Sequence, residues 1–202
     1  MNPGDSALLT DLYELTMLQA YHDEGLQDTA VFELFVRALP PQRRFLLCAG
    51  LEPALAWLEQ LHFSAAELDW LRASGRFTPG FIDWLADFRF TGAVHALAEG
   101  ALFFANEPVL RVEAPIGEAQ LIESRLLNLI NLSSMIASKA ARCVLAARGR
   151  LLVDFGLRRA HGAEAALLAA RASYLAGFAG TATVLAGERF GIPLFGTMAH
   201  SY

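Results

Sequence analysis

The stretch Leu151-Leu152-Val153-Asp154-Phe155-Gly156-Leu157-Arg158-Arg159, with Gly191-Ile192-Pro193-Leu194-Phe195-Gly196 further on, decides the fold class. Residues 151–155 are apolar up to Asp154 and short enough for a strand. Residues 163–175 are rich in Ala and Leu and read as a helix. A strand-like turn comes next, then a second short helix over residues 181–190. Residues 192–195 are another strand, ending at Gly196. Strands that alternate with helices specify a parallel sheet or barrel, and hence an α/β class. Two or three parallel strands do not close a barrel. The barrel is therefore expected to be incomplete in this chain, which is either truncated or completed by a partner.

Upstream the character differs. Asp5 or Ser6, or else Thr10-Asp11, can cap a first helix. In it Leu8, Leu12, Leu15 and Gln19 form one stripe, with Leu9, Tyr13, Met17 and Ala20 beside it; Gly25 ends it. Residues 31–37 have strand composition, with Phe32, Leu34 and Val36 on one face, before Pro40-Pro41. Helices are expected over residues 51–61, 65–74 and 79–88, and strands over 92–99 and 101–114, interrupted near Asn106-Glu107-Pro108. Residues 117–147 contain no Pro and no internal Gly after Gly117, and read as one long helix. Its apolar stripe is Ile122, Leu126, Leu129, Ile130 and Ile136, and its low charge predicts a mostly buried surface. This gives an α+β domain over residues 1–116, then a connecting helix and the start of an α/β barrel over 117–202.

The 202 residues are 54% hydrophobic and 18% charged, which marks a globular chain. A net charge of −5 argues against a general nucleic-acid binder. Only one of the 16 basic residues is a lysine, Lys139, a bias read as coding-composition drift. Cys48 and Cys143 lie apart among apolar neighbours and read as reduced, buried thiols. The N-terminus lacks the basic start of a signal peptide, and no uninterrupted apolar run reaches about 18 residues. A cytoplasmic protein with no membrane partner is the expectation.

In parallel α/β architectures, ligands sit at the carboxyl ends of strands. The loop 154–162 places Phe155, Arg158, Arg159 and His161 there, with Gly156 and Gly162 allowing backbone approach. An anionic, phosphorylated ligand is one reading; arginines paired with nearby acids are the other. In the loop 196–201, His200 suits a general base, a metal ligand or a phosphoryl acceptor, and equally a satisfied structural histidine. No metal-ligand spacing and no GxxxxGK[ST] or GxGxxG phosphate loop is present.

Six pieces, in order, carry a resemblance. They are Leu9-Thr10-Asp11-Leu12-Tyr13-Glu14-Leu15-Thr16-Met17; Glu99-Gly100 with Asn106-Glu107-Pro108; Glu118-Ala119-Gln120-Leu121-Ile122-Glu123 with Leu127-Asn128-Leu129-Ile130-Asn131; Ser138-Lys139-Ala140-Ala141-Arg142; Asp154-Phe155-Gly156-Leu157-Arg158-Arg159; and Gly191-Ile192-Pro193 with Gly196-Thr197-Met198-Ala199-His200-Ser201. Over essentially its whole length the chain resembles the nicotinate phosphoribosyltransferase family. The resemblance implies a type II phosphoribosyltransferase barrel. It also implies transfer of 5-phosphoribosyl-1-pyrophosphate to nicotinate, giving nicotinate mononucleotide and pyrophosphate in pyridine nucleotide (NAD) biosynthesis, with Mg²⁺ and ATP hydrolysis coupled through a phosphohistidine.

By resemblance His200 is that histidine. Phe155 and Tyr13 sandwich the pyridine ring, Tyr13 coming from the other subunit of a homodimer with shared sites. Arg158 holds the nucleotide 5′-phosphate, and Thr197 lines the nicotinate pocket. Ala182 is the specificity position: related nicotinamide enzymes carry an Asp there, which would repel a carboxylate. Nicotinate enzymes usually have Ser-Asn where this chain has Ala182-Thr183, and Pro where it has Ala105. Two other readings stay open: a nicotinamide or quinolinate enzyme, and an inactive fragment that acts only in assembly. Lys139 and Arg142 read as solvated helix residues.

Overall fold

The computed structural model describes residues 3–39, 41–199 and 201. After a 3-10 turn at Pro3–Asp5 come α1 (Leu12–Asp23), β1 (Thr29–Phe35), β2 (Leu46–Leu47), α2 (Leu51–Gln60), α3 (Ala65–Ser74) and α4 (Pro79–Leu85). Then follow β3 (Ala93–Ala96), β4 (Leu102–Phe103), β5 (Pro108–Pro115), α5 (Ile116–Leu121) and α6 (Glu123–Ala147). The last part holds β6 (Val153–Asp154), a 3-10 turn at Leu157–Arg159, α7 (Ala163–Leu175), β7 (Gly180–Thr181) and α8 (Val184–Phe190). The mixed α/β class is the one the sequence predicts, with departures: residues 117–147 form two helices that part at Ile122, β2 is a strand the sequence does not suggest, the helix expected over 181–190 begins only at Val184, and the strand expected over 192–195 is a single bridge at Leu194. Ile122 is fully buried, and helical capping closes α5 beside it.

Contacts group the chain into two units. One gathers Met1–Phe35, Glu52–Ala96 and Pro108–Leu129; the other gathers Val36–Leu51, Leu97–Glu107 and Ile130–Tyr202. The division at residues 116/117 follows the chain, whereas the contacts draw residues 36–51 and 97–107 in with the later part.

In the first unit β5 is the middle strand of an antiparallel sheet ordered β1-β5-β3. Opposite residues share a face, so Phe32 with Val112 and Leu34 with Leu110 form one side, as the period-2 pattern requires. Val36 lies past the end of β1. The helical part is held by aromatic rings: Phe63 lies edge-on to Phe88, and Trp84 packs on Phe81 and Phe88, with centroids 5.7–5.9 Å apart. A capping box starts α3, where the Ser64 hydroxyl accepts from the Glu67 N–H and the Glu67 carboxylate accepts from the Ser64 N–H. On α1 the buried face is Glu14, Leu15 and Leu18, while Leu12 is half exposed. The predicted stripe through Leu8, Leu12 and Leu15 is thus rotated, because a carboxylate occupies an inward position.

In the second unit α6 lies beside β2. The Leu47 N–H donates to Ser138 Oγ (2.8 Å) and the Ala49 N–H to Ser134 Oγ (3.1 Å). Leu47, Ala49, Ala137 and Ala172 form a small core there. At 25 residues α6 is long and apolar enough to cross a membrane by length and composition, yet these buried serines are satisfied by protein backbone, as in a core helix. Lys139 and Arg142 are exposed on it. Cys48 is buried and Cys143 half-buried, both as free thiols.

A charged fork joins Glu99 and Arg171 in this unit, with N–O distances of 2.8 and 2.7 Å and 14% exposure of each side chain. Glu99 also accepts from the Gly50 and Leu51 N–H groups at 2.6 and 3.1 Å, while Arg171 stands 5.9 Å from the centre of the Phe190 ring. Burial disfavours the Glu99 carboxylate, but Arg171 and the two N–H groups outweigh that and hold its carboxyl below the usual value of 4.5. A depressed carboxyl contributes stability that is complete above the unfolded pKa and is lost as the pH falls through the folded one. Glu99→Gln is expected to cost roughly 3 kcal/mol at neutral pH, because Arg171 loses its charge partner. Urea unfolding across pH should show the gap to wild type closing below pH 4.5; a gap independent of pH would contradict the pairing.

Candidate functional site

Three short extended segments of the second unit lie side by side and parallel. Val153 and Asp154 pair with Gly180 and Thr181, and Thr181 bridges to Leu194. The ladder continues through Ala179 N–H to Leu152 O (2.8 Å), Thr181 N–H to Pro193 O (3.0 Å) and Phe195 N–H to Thr181 O (2.9 Å). Each extended segment is brief and leads into a loop; the loops begin at Phe155-Gly156, Ala182-Thr183 and Gly196-Thr197. All three turns therefore follow the carboxyl ends of adjoining parallel strands, where such sheets bind ligands.

The predicted residues stand on these turns. Phe155 is 53% exposed. Arg158 sits in the 3-10 turn that follows, is exposed, and has no acid partner among the described residues. Ala182 is half-buried, and its N–H donates to the Asp154 carbonyl (2.8 Å), which fixes it beside the end of β6. Thr197 is exposed and its hydroxyl donates to Met198 O at 3.4 Å. His200 lies outside the described residues. Among the described residues no group of three or more His, Cys, Asp or Glu could hold a metal ion.

Three residues at this place were not singled out by sequence reasoning. The Asp154 carboxylate accepts from the Gly156 N–H (2.9 Å) and from the Thr181 hydroxyl (2.8 Å). Thr181 is fully buried, and its hydroxyl also accepts from the Thr183 N–H (3.0 Å). Gly180 has no room for a side chain. The available signal was an Asp before a glycine turn, the pattern of a side chain that bonds its own backbone two residues on.

Tyr13 belongs to the first unit. Its ring is 44% exposed on α1 and its hydroxyl donates to Glu14 at 3.2 Å. Glu14, fully buried, also accepts from the Thr10 hydroxyl and from the Ser124 N–H (3.1 Å) and hydroxyl (2.9 Å). Burial raises the Glu14 carboxyl, with the four donors pulling the other way. The Tyr13 hydroxyl is pushed up to about 12 by burial first and by the Glu14 and Glu123 carboxylates after it. It is therefore a neutral donor at any ordinary pH.

A methyl group at position 180 would lie 2.2 Å from the Pro193 carbonyl and 2.6 Å from the Phe195 ring. Gly180→Ala should therefore part the strands that carry the turns and destabilise the unit by about 3 kcal/mol, the upper end for overpacking against backbone. A wild-type unfolding midpoint in that variant would contradict the strand spacing.

Comparison with known proteins identifies the family. The family model described as the nicotinate phosphoribosyltransferase (NAPRTase) N-terminal domain matches residues 8–131. Nicotinate phosphoribosyltransferase pncB2 of Mycobacterium tuberculosis is 56% identical over 196 residues, covering 97% of this chain and 42% of its own length. The nicotinate phosphoribosyltransferase of Bacillus subtilis is 43% identical, over 96% of this chain and 40% of its own. The crystal structure of human nicotinic acid phosphoribosyltransferase superposes with a TM-score of 0.87 at 38% identity, over 95% of this chain and 39% of that one. The chain thus spans less than half the length of each of these relatives. It belongs to the nicotinate phosphoribosyltransferase family.

Proposed function

We propose that this chain forms part of an enzyme that joins nicotinate to 5-phosphoribosyl-1-pyrophosphate, releasing nicotinate mononucleotide and pyrophosphate, with ATP hydrolysis coupled through phosphorylation of His200. The observation that carries the reading is the strand-end cluster: an exposed ring at Phe155, an arginine at Arg158 without an acid partner among the described residues, and a small uncharged residue at Ala182, in loops that follow adjoining parallel strands.

Each part has a chemical use. The Phe155 ring offers a stacking face for the pyridine, and Tyr13 of a second copy offers the opposite one in a homodimer with shared sites. Arg158 supplies a planar fork for the 5′-phosphate. Ala182 puts no carboxylate beside the ring, which favours the acid over the amide. Thr197 lines the same pocket. In the transfer the pyridine nitrogen bonds to the ribose C1 as the C1–O bond to pyrophosphate breaks. The protein's contribution is to hold nitrogen and C1 in line and to stabilise the leaving charge. The described residues offer no acidic cluster for Mg²⁺; the ion would enter on the pyrophosphate of the substrate. A phosphate on His200 would add charge and acceptor oxygens beside that pyrophosphate and so order the loop 196–201. The enzyme would work in the cytoplasm, in NAD salvage.

Two substitutions in the longest chain the gene encodes test this reading. His200→Ala should remove the stimulation by ATP and leave a slow basal transfer; unchanged coupling in a pyrophosphate-release assay would sink the phosphohistidine assignment. Arg158→Ala should raise the KM for 5-phosphoribosyl-1-pyrophosphate by about tenfold or more, the value of one charge-assisted hydrogen bond. Wild-type kinetics would show that Arg158 only solvates its turn.

A further inference from the structure

We infer that Asp154 is a positioning residue for the pyridine subsite, locking the turn that carries Phe155 to the turn that carries Ala182. This rests on the reading of that cluster given above. Its two carboxylate oxygens are divided between two turns. Oδ1 takes the Gly156 N–H at 2.9 Å, just past Phe155; Oδ2 takes the Thr181 hydroxyl at 2.8 Å, just before Ala182. The Asp154 carbonyl takes the Ala182 N–H at 2.8 Å. One residue thus joins both turns by three hydrogen bonds.

The lock extends one residue further. The buried Thr181 hydroxyl donates to Asp154 and accepts from the Thr183 N–H at 3.0 Å, so donor and acceptor polarise each other along a chain from Thr183 to the carboxylate. The near turn is equally tight, since a methyl at position 156 would stand 2.9 Å from Asp154 Oδ1.

Such an arrangement costs stability. Asp154 is a half-buried acid with no cation partner among the described residues, and Thr183, which is 4% exposed, has a buried hydroxyl with no partner among them. An apolar pair at 154 and 181 would leave the backbone ladder between the strands in place. Local costs retained against a cheaper alternative collect where geometry serves function. Here they collect between the aromatic face and the specificity position. Stacking and edge recognition both depend on the spacing of these two turns, and Asp154 sets that spacing without touching the ring.

The test is steady-state kinetics on the longest chain the gene encodes, with Asp154→Asn, Thr181→Val and Thr181→Ser. Asparagine keeps the shape but leaves the Thr181 hydrogen without an acceptor; valine removes the hydroxyl; serine keeps it. The first two should raise the KM for nicotinate about tenfold, the value of one lost buried hydrogen bond, and narrow the preference for nicotinate over nicotinamide. The KM for 5-phosphoribosyl-1-pyrophosphate should stay within about twofold, and serine should restore the nicotinate KM. A role in stability alone would instead lower the unfolding midpoint and the active fraction, reducing kcat while leaving both KM values and the selectivity unchanged; that result overturns the proposal. If wild type itself shows no transfer to nicotinate, it is the proposed function that fails.

Discussion

Much of the second unit depends on the fork between Glu99 and Arg171. The two residues are far apart in the chain and both mostly buried. Through Glu99 the fork reaches the Gly50 turn and the start of α2; through Arg171 it reaches the middle of α7 and the ring of Phe190 on α8. A buried ion pair is weak evidence of net stability, but its geometry is demanding, since either charge alone would be stranded. The helices α7 and α8 in turn flank β7. Ala170, Ala186 and Ile192 pack as one small cluster between α7, α8 and the last extended segment. The strand ends that carry Phe155, Ala182 and Thr197 therefore stand on elements fixed by one charge pair and a few small apolar residues.

A common design appears at the two exposed rings. Tyr13 precedes Glu14, and Phe155 follows Asp154. In each case the acid turns into the protein and gathers donors from residues distant in sequence: Ser124 for Glu14 and Thr181 for Asp154. The ring beside it stays exposed. An aromatic ring has two free torsions and loses little entropy when its neighbour is anchored, so an acid at the adjacent position is an economical way to aim a hydrophobic face at solvent. The arrangement would suit the proposed ligand, a flat, charged heterocycle.

The helices α3 and α7 were legible because local periodicity and capping encode them: Ser64 with Glu67 marks the start of α3, and the Ala-Leu run marks α7. The strand end that carries the candidate site was legible, since Gly and Phe after a short apolar run mark such an end. What stayed hidden depends on contacts across long loops. Nothing near Glu99 announces Arg171, and nothing near Asp154 announces Thr181. The α1 stripe was rotated because Glu14, an acid, is buried, which apolar patterning counts as exposed. The break at Ile122 is invisible for a similar reason: an isoleucine there suits one continuous helix or a buried junction equally well. The grouping of residues 36–51 and 97–107 with the later segments rests on β2 pairing with β4 and packing on α6, which no local pattern shows.

The most direct test of the account is pyrophosphate release by the longest chain the gene encodes, given 5-phosphoribosyl-1-pyrophosphate and Mg²⁺ with nicotinate, nicotinamide or quinolinate in turn. The account predicts release with nicotinate and little with the other two. Release with nicotinamide in preference would contradict the part given to Ala182. No release with any of the three would mean that the family resemblance marks descent and assembly rather than catalysis.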